Sequence, residues 1–438
     1  MAEQRRAGWA GAAGRRRRAV AGWAVAGCLV SFAAVWIAQR LLNVSLLDVM
    51  VYRTAGWTVR AGGNLYAMRV TSARLPMTYP PFAGLVFVPL SWVGTGVIRT
   101  AVTAGNLALV VALAALSLRL VERPARLPAV LGIAALAVWS EPVWGTLRYG
   151  QVNLLLAVLV LWDLTRRPEN RWAGVGIGLA AGIKLTPGLF VLFLGIAGLI
   201  MRGGPYLRRA LVATGTFTVT VVIAAAALPG DSRRFWTDVV LSPARPGFGE
   251  NVANQSLRGV LARLEHTGDP GVPWLCAAAA ATVLGLAVAV AAVLAGDRLP
   301  YGPAWAAVAC AVTALLVSPV SWSHHWVWAV PMVVLLACEA VRRHDRWWLA
   351  GAVAAGVVFC SYAIWAVPHG MTVAGVTTRP ELRETTPQIL VAAVYPIAGT
   401  AFLAVAGTLA TRALYTMPSR SVSSATRGDS ADSPARSS

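Results

Sequence analysis

A lone carboxylate stands in Leu46-Leu47-Asp48-Val49-Met50-Val51-Tyr52-Arg53, directly after the first apolar run, and Asp48 is the first acidic residue after Glu3. A carboxylate at the lip of a membrane span gives up hydration, so an apolar chain keeps one there for a reason. Within hydrogen-bond reach of a hydroxyl, and with a pKa a little below working pH, it would act as a general base. Position alone leaves open a helix N-cap or a partner for Arg53 or Arg60. Lys184 is more pointed, because it is the only lysine among 38 basic residues. It stands in Ala181-Gly182-Ile183-Lys184-Leu185-Thr186-Pro187, a turn between two apolar runs. A compact, flexible ammonium suits a phosphate oxygen; a lysine snorkelling from a helix end is the plainer reading.

Two amide-rich stretches and a histidine pair complete the polar inventory. Arg148-Tyr149-Gly150-Gln151-Val152-Asn153 sets a cation and two amides just before an apolar run, and Asn251-Val252-Ala253-Asn254-Gln255-Ser256 repeats the amides in a long loop. Such amides bond sugar hydroxyls, or simply cap helices and close turns. Ser318-Pro319-Val320-Ser321-Trp322-Ser323-His324-His325-Trp326 holds two of the five histidines. The tryptophans suit an interfacial belt, whereas the histidines suit phosphate contact or proton transfer. Adjacent histidines on a helix diverge by about 100°, the angle behind the 3.6-residue period, so they rarely share one metal ion. There is no DxD pair, HExxH or glycine-rich phosphate loop. No metal and no cofactor are expected.

The elements that must position these groups are membrane helices. With 57% hydrophobic and 13% charged residues over 438 positions and a mean hydropathy of +0.63, the chain has more apolar surface than a soluble domain could cover. The net charge of +20 comes from arginine clusters between apolar runs; the positive-inside bias explains these without nucleic acid. The five cysteines lie inside apolar runs with no CxxC spacing, so neither a disulfide framework nor a zinc site is indicated. Val25-Ala26-Gly27-Cys28 faintly resembles a lipoprotein cleavage box, but the many later runs favour an uncleaved anchor.

Arg5, Arg6 and Arg15 to Arg18 predict a cytoplasmic basic segment over 1–18 and a first span that leaves the cell interior. A single transmembrane domain is expected over 19–416, with a first outer loop over 40–79 and a long outer loop over 229–272. The run near 80–94 is read as a re-entrant or half-membrane piece, because a full crossing would invert every later arginine cluster. The first run and eleven later ones, among them 152–164, 172–184, 187–200 and 303–320, make about twelve spans, with both termini cytoplasmic and a disordered cytoplasmic tail over 417–438. This arrangement gathers Asp48, 141–153, Lys184–Pro187, 229–272, Ser321–Trp326 and 367–387 on the outer side. Short spans beside polar turns are what a cavity at that surface would produce.

Asp48-Val49-Met50-Val51-Tyr52, Tyr79-Pro80-Pro81, Tyr149-Gly150-Gln151-Val152-Asn153, Gly182-Ile183-Lys184-Leu185-Thr186-Pro187, Asn254-Gln255-Ser256 and Ser318 to His325 together resemble glycosyltransferase family 87. That family comprises actinobacterial GT-C enzymes that use polyprenyl-phosphate mannose as an α-1,2-mannosyl donor. The likeness runs in order through roughly 20–410 and is specific as a set, each motif being weak alone. It implies an all-α polytopic GT-C fold in the plasma membrane with its active site on the extracytoplasmic side. It also implies an inverting transfer to a mannosylated glycolipid or lipoglycan, with no nucleotide or metal. By position, Asp48 would be the base, with His324 or His325 at the donor phosphate or acceptor. Lys184 and Arg148 would meet the departing phosphate, and Gln151, Asn153, Asn254 and Gln255 the sugar hydroxyls. Tyr79, Pro80 and Pro81 would shape the lipid groove.

Three alternatives remain distinct. A polyprenyl-phosphate arabinofuranose donor would use the same scaffold. A secondary transporter would show two similar halves with polar groups near mid-membrane, and neither feature is evident. A non-catalytic lipid-binding scaffold would tolerate loss of Asp48.

Overall fold

The computed structural model describes residues 2–71, 74–242, 247–370, 372–373 and 376–415, with backbone only for 2–18, 372–373 and 376–377. The tail expected over 417–438 lies outside those residues.

The chain begins with α1 (Ala2–Leu41), α2 (Leu47–Arg60) and the short α3 (Pro81–Val86). Next come α4 (Thr95–Leu120), α5 (Leu127–Ala137), α6 (Glu141–Tyr149), α7 (Asn153–Leu164), α8 (Val175–Ile183) and α9 (Gly188–Ile200). After α10 (Gly204–Ala227), the long loop carries α11 (Pro229–Arg234), a π-helical turn at Phe235–Val239, and α12 (Leu257–Leu264). The last part holds α13 (Gly271–Leu294), α14 (Gly302–Val317), α15 (Ala329–Arg343), α16 (Arg346–Cys360), α17 (Thr386–Ala392) and α18 (Val394–Tyr415). One two-residue antiparallel pair, Thr372–Val373 with Val376–Thr377, interrupts this helical pattern.

Six helices are long and apolar enough to cross a bilayer, and a seventh crossing arises if α5 and α6, bent by 76°, count as one. The protein is therefore a multi-pass membrane protein. Other runs expected to cross fall on shorter apolar helices such as Asn153–Leu164, Gly188–Ile200 and Gly302–Val317. The run near 80–94 folds as α3 plus a 3-10 turn at Val88–Trp92. That is well short of the roughly 20 helical residues a crossing needs. Likewise the run at 172–184 contains only the nine-residue α8.

The joints sort to two ends. At one, Arg123 donates to the Tyr301 hydroxyl (3.1 Å), Arg298 to the Leu414 carbonyl (3.4 Å) and Arg209 to the Arg166 carbonyl (2.7 Å). At the other, the residues after α1, α5, α8, α10, α14 and α16 contact one another, as detailed below.

α14 is the central helix, apolar all round and buried along nearly its whole length, as a helix without a wet face must be. Trp305 from it stacks on Phe402 of α18 at 5.2 Å. Lipid removes most of the hydrophobic drive between helices, so close packing of small residues carries more of the association. Gly178 and Gly182 of α8 show how: a Cβ there would lie 2.5 Å from the Ala213 carbonyl and 2.4 Å from Thr220 Oγ1, both on α10. This contact seats the end of α8, and with it Lys184.

Candidate active site

α2 opens at Leu46, whose left-handed backbone (φ 51°, ψ 51°) turns the chain out of α1 and puts Asp48 in the first helical turn. A negative charge is favoured at that end of a helix. Tyr52 lies one turn on, so Asp48 and Tyr52 share a face. α6 ends at Gly150, with φ 68°; a Cβ there would sit 2.3 Å from Val49 Cγ2. Only glycine permits both that backbone and that approach. The consequence is contact between Gln151 and Asp48.

Gln151 Nε2 donates to Asp48 Oδ2 at 2.7 Å. Its Oε1 lies 2.8 Å from the Tyr52 hydroxyl and 3.0 Å from the Tyr79 hydroxyl, and these two hydroxyls are 2.9 Å apart. However the two phenol protons are shared, at least one points at Oε1, which fixes the amide with its N–H groups toward the carboxylate. Burial pushes Asp48 up to about 6, against the pull of Gln151 and of the Lys184 charge.

Lys184 follows α8 in an extended conformation (φ −149°, ψ 129°). Its Nζ donates to Asn153 Oδ1 at 3.0 Å and lies 3.0 Å from His325 Nε2. A charged ammonium only donates, so His325 accepts at Nε2 and carries its proton on Nδ1. Burial lowers Lys184 to about 7, and the Asp48 charge raises it in return.

The two histidines separate. His325 lines the cavity, whereas His324 is buried beside Tyr149, ring centroids 5.1 Å apart. The backbone carbonyl of His324 accepts from Thr146 Oγ1 (2.9 Å) and Asn153 Nδ2 (3.1 Å). Asn153 thus grips both the lysine and the histidine turn. A second anchor was not anticipated: the buried Glu141 accepts from Ser323 Oγ (2.8 Å), Trp365 Nε1 (3.1 Å) and the Tyr395 hydroxyl (3.1 Å). The signal available was a carboxylate inside a chain that otherwise avoids acids.

The cavity measures about 240 Å³. Asp48, Gln151, Lys184 and His325 supply its charged and polar floor; Tyr52, Tyr79, Phe235 and Trp322 form aromatic walls. A narrower crevice of about 40 Å³ shares Lys184, Thr186, Ser318 and His325 with it and is otherwise mostly apolar, running past Leu156, Phe190 and Leu315. Among the described residues no three His, Cys, Asp or Glu side chains group to hold a metal ion.

Several expected residues sit elsewhere. Arg148, expected near the departing phosphate, is exposed, with its guanidinium 5.7 Å from the Tyr149 ring centre. Asn254 and Gln255, expected at sugar hydroxyls, are fully buried with their amides engaged by backbone. Asn254 Oδ1 accepts from Ser321 N (2.9 Å), and Gln255 Nε2 donates to the Val252 and Ala392 carbonyls (both 2.6 Å). The Asn254 amide staples the long loop to the histidine turn, as does the Gln255 backbone N–H, which donates to the Ser321 carbonyl (2.7 Å), while the Gln255 side chain ties the loop to the end of α17. Gln151 likewise spends both ends of its amide on protein. Of the lipid-groove set, Tyr79 and Pro80 line the cavity, while Pro81 is buried at the start of α3.

The profile of glycosyltransferase family 87 matches residues 77–319. A polyprenol-phosphate-mannose-dependent alpha-(1-2)-phosphatidylinositol mannoside mannosyltransferase of Mycolicibacterium smegmatis is 32% identical over 397 residues, 84% of each chain. A polyprenol-phosphate-mannose-dependent alpha-(1-2)-phosphatidylinositol pentamannoside mannosyltransferase of Mycobacterium tuberculosis is 33% identical over 303 residues, 67% of each chain. Among solved structures, ArnT from Cupriavidus metallidurans bound to undecaprenyl phosphate aligns over 90% of this chain and 78% of its own, at 15% identity and a TM-score of 0.40.

Proposed function

Because this chain belongs to glycosyltransferase family 87, we propose that it transfers mannose from polyprenyl-phosphate mannose to a phosphatidylinositol mannoside. The linkage formed is α-1,2, the fold GT-C, and the reaction takes place on the extracytoplasmic face of the plasma membrane. The observation that carries this reading is one cavity presenting a carboxylate, Asp48, and an ammonium–imidazole pair, Lys184 and His325. The names of the relatives supply the donor and acceptor classes.

Asp48 takes the proton of the acceptor hydroxyl as that oxygen bonds to the mannosyl anomeric carbon. The bond from that carbon to the phosphate oxygen breaks on the opposite side, and the configuration inverts from β to α. Asp48 has one oxygen engaged by Gln151, leaving the other for the acceptor. The leaving polyprenyl phosphate gains charge as it departs, and Lys184, steadied by Asn153 and His325, lowers the barrier by meeting that charge in a dry site. The apolar crevice beside Lys184 accommodates the first isoprene units of the donor. Gln151 orients the base, and Asn254 and Gln255 hold the histidine turn in place.

The test is purified protein supplied with polyprenyl-phosphate mannose and phosphatidylinositol dimannoside. Wild type should yield an α-1,2-extended product, and Asp48→Ala should bind donor without turnover. Product from Asp48→Ala at the wild-type rate removes the catalytic assignment.

A further inference from the structure

Arg40 at the end of α1 and Arg99 in the first turns of α4 line one small cleft with Gln39, Val44, Leu46 and Thr103. No carboxylate borders it. Among the described residues neither arginine takes part in an ion pair. Arg40 donates to Thr100 Oγ1 at 3.2 Å and lies 5.7 Å from the Trp36 ring centre, and Arg99 donates to the Val44 carbonyl. A guanidinium carries five N–H donors, so most of both remain uncommitted. Gln39 is only 7% exposed, and its Nε2 has no partner. A buried amide left this way is destabilising until a ligand satisfies it. Cationic and amide donors converging with no carboxylate among them are the complement of a phosphate.

The location names the kind of phosphate. The cleft closes the Ala19–Leu41 candidate span, the level at which a lipid headgroup sits. Positive charge concentrates by rule on the cytoplasmic side, yet Arg40 and Arg99 stand at the end that carries Asp48. Leu46 borders the cleft and precedes Asp48 by two residues, so their Cα atoms are at most about 7.6 Å apart along the chain. In a phosphatidylinositol mannoside the inositol and its first mannose residues stand between the phosphate and the acceptor hydroxyl, and the cleft adjoins the start of α2, which carries Asp48.

We propose that Arg40, Arg99 and Gln39 bind the phosphodiester of the lipid acceptor and so hold its sugar headgroup toward the cavity. This rests on the mannosyltransferase reading, because that reading supplies a phosphate-bearing acceptor. The donor phosphate has its own partner in Lys184, and the two anions are therefore held at separate places.

Equilibrium binding tests this without turnover, using the full chain in zwitterionic nanodiscs. The ligands are phosphatidylinositol dimannoside and a phosphate-free dialkylglycerol dimannoside. Wild type should prefer the phosphate-bearing ligand by about tenfold or more, Arg40→Ala/Arg99→Ala should lose that preference, and Arg40→Lys/Arg99→Lys should keep part of it. Binding of polyprenyl phosphate reports whether each variant is folded. Equal wild-type affinity for the two mannosides overturns the proposal, as does an undiminished preference in the double alanine variant. Phosphatidylglycerol competing as well as phosphatidylinositol dimannoside also overturns it, making the cleft a site for bulk anionic lipid. A wild-type preference without product in the turnover assay would instead count against the mannosyltransferase reading.

Discussion

Gln151 Nε2 meets Asp48 Oδ2 at 2.7 Å across 103 residues of chain. The amide is held in that orientation by Tyr52 and Tyr79 at its other end. A hydrogen bond to a charged group contributes about 1.5–3 kcal/mol, so Gln151→Ala should slow kcat by about ten- to a hundredfold. Its removal also takes away a pull that favours the carboxylate, so the acidic limb of activity should move to higher pH. A variant with wild-type kcat and an unmoved limb would show that Gln151 does not orient the base.

The pH profile has a worked sign. Asp48 stands raised, at about 6, so its basic form is lost as pH falls through that value. Lys184 stands depressed, at about 7, so its charge is lost as pH rises through that value. The profile of kcat/KM should be a narrow bell between these limbs. Lys184→Arg, whose charge persists to high pH, should flatten the alkaline limb even where the rate drops. Retention of that limb would assign it to another group.

Gly150 is the hinge of the Asp48–Gln151 contact. Gly150→Ala adds a methyl 2.3 Å from Val49 Cγ2 at φ 68°, a backbone that costs an alanine about 1 kcal/mol or more. Turnover should fall at least tenfold, with donor binding retained. Full activity would mean that the α6–α2 junction has slack that its packing does not show.

His325 and His324 should differ despite being neighbours. His325→Ala removes the ring 3.0 Å from Lys184 Nζ and should raise the donor KM or lower kcat by at least tenfold more than His324→Ala. The latter keeps the carbonyl that Thr146 and Asn153 hold. Equal kinetic losses from the two substitutions would contradict the assignment.

Glu141 gathers donors from three separate elements. Glu141→Ala strands them in a buried place, at about 1–3 kcal/mol for each donor left unpaired. The expected outcome is a lower melting temperature in detergent, with Glu141→Gln intermediate. An unchanged melting temperature would show that the three donors find other partners.

What the sequence determined by itself is the membrane class, the helical runs and the residues worth attention. Composition and arginine placement act locally, and each can be judged from a window of the chain. The rarity of Lys184 and the isolation of Asp48 are visible in the same way, and the ordered motifs point to the family. Tertiary structure alone decided which groups face which. Periodicity says what side of a helix Gln151 or His325 occupies, but nothing about the distant joint that stands opposite. For this reason the amide read as a sugar ligand turns out to grip Asp48. Asn254 and Gln255 are absorbed by backbone carbonyls and amides, Arg148 points outward, and only one of two adjacent histidines reaches the cavity. The Asp48–Gln151, Lys184–His325 and Asn254–Ser321 contacts each join residues 60 or more apart in sequence, and so does the close approach of Gly150 to Val49. These are properties of packed surfaces, which no local pattern of residues encodes.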